Sequence, residues 1–540
     1  MRTRAGRGTL GAVEPTSPVP LLEMQGLTWR FALASRLALG PIDLELGAGE
    51  VVLLTGPTGS GKSTLLRLAA GILGRHGHGT VGGAIRVEGR DPASLAPSER
   101  VMLVGFVAQE PADQVVTGTL GDEVAFGPES AGWPPDRIEA RIHEMLETFG
   151  LPREPERSPA TLSGGQQQRL LIAASLSARA RLLLLDEPLA QLDPGGAREV
   201  VAHLAALAAR GVGVVVAEHR LEACWSACGR VVVLDNGRIA SDTPREAAPL
   251  SLLRELGLAL PGMVDLADRL AGLGLAPADL AVHLPRSQDP PAEPRPPGPP
   301  VLAARDLVRA RNGRTVAGLP ALDLAPGERV ALLGANGAGK TSLIESLAGE
   351  GDGGRITTTG RVLVVPQDPD LSLFCETVRA ELAYGPREAG LEEEAVNHRV
   401  GEAARALSLE DLLERPPQAL SRGQRLRVAV AAALACRPAV LLLDEPTSGQ
   451  DRDRVDRMME ALAEALVHGA LVFATHDVDL ALRHATRVLL VEEGTVVQDG
   501  TPVRVAGALR TQGLLPPLAA LCLDLGFRPQ PAADLAARVS

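Results

Sequence analysis

Short apolar runs bounded by turn residues recur along the chain. Residues 181–185, 212–217 and 230–234 read as near-continuous apolar strands, and Glu50–Thr55 and Glu328–Leu333 as strands that stop at a glycine loop. Residues 64–70, 136–149, 166–178, 196–209 and 342–348 carry helical periodicity. Strands apolar on both faces belong in a mostly parallel sheet covered by helices on either side, so the pattern predicts an α/β fold. Runs such as 182–185 and 212–217 are four to six residues long, whereas a membrane-spanning helix needs roughly 20. Any role at a membrane therefore requires docking on another protein that crosses it.

The pattern also repeats. GPTGSGKST at 56–64 returns as GANGAGKTS at 334–342, Gln109 as Gln367, and LSGGQ at 162–166 as LSRGQ at 420–424. LLLLDEP at 182–188 returns as VLLLDEP at 440–446, and His219 as His476. The offset is 258 residues for the glutamines and for Asp186 and Asp444, but 278 for Lys62 and Lys340. Register kept across so many features marks two homologous domains. The chain divides into a tail (1–20), a first domain (21–248), a helical tail (249–284), a linker (285–300), a second domain (301–505) and a helical C-terminal tail (506–540). The linker holds eight prolines in sixteen positions and reads as a semi-stiff spacer.

Composition narrows the picture. A net charge of -12 argues against a nucleic-acid binder, which shows a basic patch or tail. The basic N-terminus lacks the apolar core of a secretory signal. Cys224 and Cys228 stand one helical turn apart without a second pair of ligands, and read as a buried helix face rather than a metal site. Among 54 Lys and Arg residues only Lys62 and Lys340 are lysines, and both lie in the glycine loops.

Each glycine loop follows a strand and opens a helix. Gly56, Gly59 and Gly61, and Gly334, Gly337 and Gly339, let backbone N–H groups converge on a β-phosphate at the helix start. Lys62 and Lys340 can reach the β- and γ-phosphates, with Thr64 and Ser342 following in the loop motif. Ser63 and Thr341 can offer a hydroxyl to Mg²⁺. Asp186 and Asp444 end apolar strands where they can hold the water shell of Mg²⁺. The adjacent Glu187 and Glu445 can polarise an attacking water, and His219 and His476 can orient it.

With these residues in place the chain resembles the nucleotide-binding subunits of ATP-binding-cassette (ABC) transporters. The combination of LSGGQ and LLLLDEP carries the likeness. The resemblance implies two tandem P-loop domains, each a mostly parallel sheet with a helical signature subdomain, that bind ATP and Mg²⁺ and hydrolyse ATP. It makes Gln109 and Gln367 loop glutamines that sense Mg²⁺, and Asp193 and Asp451 interdomain-loop aspartates. It implies a head-to-tail pairing in which ATP is sandwiched between one domain's glycine loop and the other's signature. One site then joins Lys62, Ser63, Asp186, Glu187 and His219 to Ser421, Gly423 and Gln424, with Arg422 in place of a glycine. The other joins Lys340, Thr341, Asp444, Glu445 and His476 to Ser163, Gly164, Gly165 and Gln166, and is expected to hydrolyse faster. Phe31, near Trp29, matches the aromatic residue that stacks on adenine, with Arg311 at the corresponding position of the second copy.

Gln109 through Gln114 follows the string Q-x-P-x-x-Q and leads to Ala125-Phe126-Gly127. This segment and the VVVAEHRLE run around His219 resemble the ATPase subunits of energy-coupling-factor (ECF) transporters for vitamins, cobalt or nickel. The second copy has Leu373 or a neighbour where the second glutamine is expected. That likeness implies an importer ATPase at the cytoplasmic face of the cell membrane, peripheral and without a nucleic-acid partner. Its partners are a transmembrane coupling subunit and a small substrate-binding membrane subunit. Glu110, Asp113, Asp122 and Glu123, with Val115, Val116 and Phe126, are expected to meet a basic coupling helix. The alternatives are a sugar-type ABC importer ATPase and a soluble tandem ABC ATPase acting on ribosomes.

Overall fold

The computed structural model describes residues 20–539 apart from 75–78, 110–113, 190–191, 193, 220, 285–298, 312–313 and 448–451. In the first half, the strand Leu182–Asp186 shows why its residues are apolar throughout. Leu183 and Leu185 enter one core while Leu182 and Leu184 enter another on the opposite face. Such a strand sits deep in a sheet. The sheet runs Val104–Val107, Leu182–Asp186, Gly213–Ala217, Val51–Thr55, Arg230–Asp235 and Arg238–Pro244, parallel up to the last, antiparallel strand. A second, antiparallel sheet pairs Leu22–Phe31 with Leu39–Leu46 and Gly79–Val87.

The second half repeats this order but fuses the two sheets into one of nine strands. The join is a single parallel pairing between Gly318 and Thr495. In both halves the parallel arrangement brings three strand ends side by side. One leads into the glycine loop, one ends in the Asp-Glu pair, and one precedes the histidine. Ligands of open α/β sheets bind beyond such carboxyl ends.

A helical layer stands to one side of each sheet: Leu120–Ser130, Pro135–Thr148 and Gly164–Ser177, and their counterparts Val378–Glu388, Glu393–Ala406 and Arg422–Ala435. The helix expected over 166–178 begins earlier, at Gly164, because Ser163 caps it. The Ser163 hydroxyl accepts from the Gln166 amide at 3.3 Å, and the Gln166 side chain accepts from the Ser163 amide at 3.0 Å. Ser421 and Gln424 reproduce this reciprocal cap.

The two helical tails do more than close their own halves. Leu253, Leu258 and Leu260 complete the first core. Beyond them, Leu266, Leu270, Leu280 and Leu284 share a separate core with Leu518, Cys522, Leu525, Phe527 and Leu535 from the end of the chain. The halves are thus joined through apolar packing as well as through the linker. Leu270→Ala removes a fully buried side chain and is expected to cost about 2–5 kcal/mol of local stability. Hydrogen exchange should speed up in both 262–271 and 532–537 while Leu182–Asp186 stays protected; acceleration confined to 262–271 would contradict a shared core.

Candidate functional site

Each glycine loop is shaped by backbone that a side chain would obstruct. Gly61 and Gly339, which open the helices, have φ of 106° and 98°. A Cβ on Gly56 would lie 2.0 Å from the Leu234 carbonyl oxygen. The loop wraps the lysine: Lys62 Nζ donates to the Gly56 and Pro57 carbonyls at 2.6 and 3.0 Å. Lys340 Nζ donates to those of Gly334 and Ala335, both at 2.9 Å. Burial pulls the Lys62 ammonium below its usual range, opposed by the charges of Glu187, Asp186 and Glu218. Thr64 and Ser342 follow in the first turns of the helices.

The aspartates lie where the motif requires. Ser63 Oγ donates to Asp186 Oδ1 at 3.0 Å, and Thr341 Oγ1 to Asp444 Oδ2 at 2.8 Å. In each pair the other carboxylate oxygen is buried without a protein partner. A buried acceptor of this kind fits the hydration shell of a cation. Burial raises the carboxyls of both Asp186 and Asp444, countered by those hydroxyl hydrogen bonds. Among the described residues no group of three or more His, Cys, Asp or Glu forms a metal site by itself.

Glu187 and Glu445 carry a feature that the sequence did not reveal. Both adopt left-handed backbone, with φ of 49° and 51°, a conformation that costs a non-glycine residue about 1–3 kcal/mol. The neighbouring strand ends hold them in it: the Glu187 amide donates to Ala217 O at 2.9 Å, and the Glu445 amide to Ala474 O at 3.0 Å. The kink turns each glutamate toward its histidine. His219 Nδ1 lies 3.4 Å from Glu187 Oε1, and His476 Nδ1 lies 3.0 Å from Glu445 Oε2. Gln109 donates to Glu187 at 2.9 Å. In the second half Gln367 is exposed, and Lys340 approaches Glu445 at 3.6 Å.

Phe31 ends its strand 42% exposed, edge-on to the buried Trp29, so its outer face is open for stacking. The Arg311 side chain lies outside the described residues, as do Asp193 and Asp451. The signature residues Ser163, Gly164, Gly165 and Gln166, and Ser421, Gly423 and Gln424, stand at the starts of helices. A small cavity lined by Gln109, Gly164, Gln168, Glu187 and Leu192 places the first signature beside Gln109 and Glu187 of its own half.

The docking expectation needs correction. Glu123 is 5% exposed, and one of its oxygens accepts from the Val116 and Thr117 amides and the Thr117 hydroxyl. It braces its own loop and offers no charge to a partner; Glu381 does the same for Phe374 and Cys375. Glu110 and Asp113 lie outside the described residues. Gln114 is also structural: its amide bridges the Ala108 N–H and the Phe106 carbonyl, both at 2.8 Å. Glu218, whose Oε1 accepts from the Leu189 amide at 2.9 Å, is a buried acid that the sequence reading missed. Its signal was an acid ending an apolar strand immediately before His219.

Comparison with known proteins places the chain in a family. The ABC transporter family model matches residues 39–190 and 320–448. A putative ABC transporter ATP-binding protein of Methanosarcina mazei is 35% identical over 520 residues, covering 89% of each chain. The chain belongs to the ABC transporter ATP-binding proteins, with ATP and Mg²⁺ as its cofactors and ATP hydrolysis as its activity. Among solved structures, RNase-L Inhibitor matches with a TM-score of 0.58 at 19% identity, covering 91% of this chain and 93% of its own. A model of ribosome-bound archaeal Pelota and ABCE1 matches with a TM-score of 0.60 at 19% identity, covering 91% and 81%.

These matches overturn the importer expectation. One structure that follows the fold through both cassettes is a model of ribosome-bound Pelota and ABCE1, so two fused cassettes are not a mark of membrane transport. The ECF importer, the sugar-type importer, the membrane coupling and substrate-binding subunits, the peripheral position at the cell membrane and the exclusion of nucleic acid all fall with that inference.

The raised carboxyls yield a test. An acid whose ionisation is opposed by burial takes up protons at higher pH than an ordinary carboxylate. Lowering pH into the weakly acidic range should therefore raise the Mg²⁺ concentration needed for half-maximal nucleotide binding. Asp186→Asn with Asp444→Asn should flatten that dependence in a calorimetric titration; an unchanged pH profile would place the proton elsewhere.

Proposed function

We propose that this protein converts ATP binding into closure of its two cassettes on each other, and hydrolysis into their reopening, so as to move a large nucleoprotein partner such as a ribosome. The observation that carries the mechanical part is the presence of two complete catalytic clusters, each with a counterpart signature helix on the other half of the same chain. The first amides of those helices form an anion site. Facing the opposite glycine loop, Ser163 and Gly165, or Ser421 and Gly423, would cap the terminal phosphate.

Lys62 and Lys340 hold the β- and γ-phosphates. Ser63 with Asp186, and Thr341 with Asp444, hold Mg²⁺, with Gln109 and Gln367 sensing it. When bound, the ion neutralises charge on the phosphate oxygens. Glu187 and Glu445 accept a hydrogen bond from the attacking water, and His219 and His476 fix the glutamate. Phe31 stacks on adenine. The buried Glu445–His476 pair is closer than Glu187–His219, and the signature facing it has both glycines. The Lys340 site should therefore be the faster one: Glu445→Gln is expected to reduce steady-state turnover more than Glu187→Gln, and equal losses would remove the asymmetry.

Support for the ribosomal partner is the architecture shared with RNase-L Inhibitor and ribosome-bound ABCE1 through both cassettes. The proline-rich linker differs from the charged helical linker expected of that class. Within the family we relate the glutamine loop to those of ECF ATPases through Gln109, Pro111 and Gln114, a kinship of the loop that names no partner. The partner is tested by trapping closed cassettes with Glu187→Gln and Glu445→Gln in the presence of ATP and fractionating native extract. The trapped protein should sediment with ribosomal particles; flotation with membranes would overturn the reading.

A further inference from the structure

His219 is followed by a short helix, Leu221–Cys224. Leu221 and Cys224 turn inward and are buried in the first core. Glu222 stands on the exposed side of that turn. Its carboxylate finds a partner 40 residues further along the chain, accepting from the Gly262 amide at 2.7 Å. Gly262 opens the helix Gly262–Ala271, and Pro261 before it provides no side-chain cap. The first amide of a helix needs an acceptor from elsewhere, and a carboxylate there also meets the positive end of the helix dipole. Glu222 is that cap.

The capped helix packs on the end of the chain. Its Leu266 and Leu270 are fully buried in a core with Leu518 and Cys522 of the helix Pro517–Asp524 and Leu535 of the helix Ala532–Ala537. The helices approach closely at Gly262, where a Cβ would lie 3.0 Å from Leu518 Cβ. The helix Pro517–Asp524 is in turn fixed to the second half. Ala519 enters the second-half core with Val505, Leu509 and Ala481. Arg510 donates to Asp524 Oδ1 at 2.8 Å and to the Ala520 carbonyl at 3.0 Å. Arg510 belongs to the helix Pro502–Thr511, which packs on the helix Val478–His484 that follows His476. A continuous run of contacts therefore leads from the segment after His476, through the tails, to the segment after His219. The two ends of that run differ. Asp479, at the position corresponding to Glu222, accepts from Arg483 of its own helix at 2.7 Å.

We propose that Glu222 is a positioning residue for ATP hydrolysis at the Lys62 site, fastening the segment that carries His219 to the tail helices and, through them, to the second half. The inference rests on His219 orienting Glu187, whose Oε1 lies 3.4 Å from His219 Nδ1. One exposed hydrogen bond adds little to overall stability, but it sets where the turn after His219 sits. Packed side chains and hydrogen bonds in an unbroken run can carry coupling between distant sites, and paired substitutions measure it.

The test measures ATP turnover of the full chain for Glu222→Ala, Glu222→Gln, Leu535→Ala, His219→Ala and the Glu222→Ala/Leu535→Ala double variant. Glu222→Ala should lower kcat by about three- to tenfold, as expected when a group is displaced from its working position. KM for ATP should stay nearly constant, and Glu222→Gln, whose amide oxygen still accepts from Gly262, should recover most of the rate. Leu535→Ala, which loosens the tail core far from either ATP site, should also slow turnover, yet add nothing to Glu222→Ala. Multiplying losses in the double variant, or Glu222→Gln as slow as Glu222→Ala, would overturn the assignment. Wild-type kcat in Glu222→Ala with a slowed His219→Ala overturns the tether alone; wild-type kcat in His219→Ala overturns the reading of the histidine on which it rests. Should Leu535→Ala fail to fold by thermal melting, Gly262→Ala, which wedges the tail helices apart at Leu518, takes its place with the same expected outcomes.

Discussion

Each half is organised around a buried lysine ammonium. Lys62 and Lys340 are both 6% exposed, and a charge held there must be surrounded by oxygen atoms. The glycine loops supply carbonyls from one side, and acids at adjacent strand ends supply negative charge from the other. Only a parallel sheet brings those strand ends together, and only left-handed glycines let the loop close around the ammonium. Phosphate oxygens can replace the carbonyls, so the same constraint that shapes the loop makes it a nucleotide cradle.

The second requirement is a strained turn directly after Asp186 and Asp444. Left-handed backbone at Glu187 and Glu445 is held by amide bonds to the next strand, which aims each carboxylate at its histidine. The halves are built alike here but diverge around it. Gln109 holds Glu187 in the first, whereas Lys340 and a deeper burial hold Glu445 in the second. Glu218 adds an acid near Lys62 where the second half has Thr475. Unequal surroundings for equivalent glutamates are the physical basis for expecting unequal sites.

The parts written as continuous motifs were legible in the sequence. The glycine loops, the Asp-Glu pairs, the signatures and the apolar strands all follow from local spacing, and the repeat confirmed each by a second instance. What stayed hidden depends on the third dimension. An acid such as Glu123 looks like surface charge until the loop that it braces is folded around it. The tails showed helical periodicity, yet not that Leu270 and Cys522 share a core, because periodicity marks an apolar face without naming its partner. The importer assignment failed for another reason. It read a partner from a loop sequence, although Gln114 spends its amide on its own strand end.

The central claim is that each ATP is completed by the signature helix of the opposite half. A photoreactive group on the γ-phosphate of ATP, bound to a Lys62→Ala variant so that only the Lys340 loop is filled, reads this directly. The account predicts that residues 163–166 of the first half become labelled. Labelling of residues 421–424, in the same half as the filled loop, would contradict it.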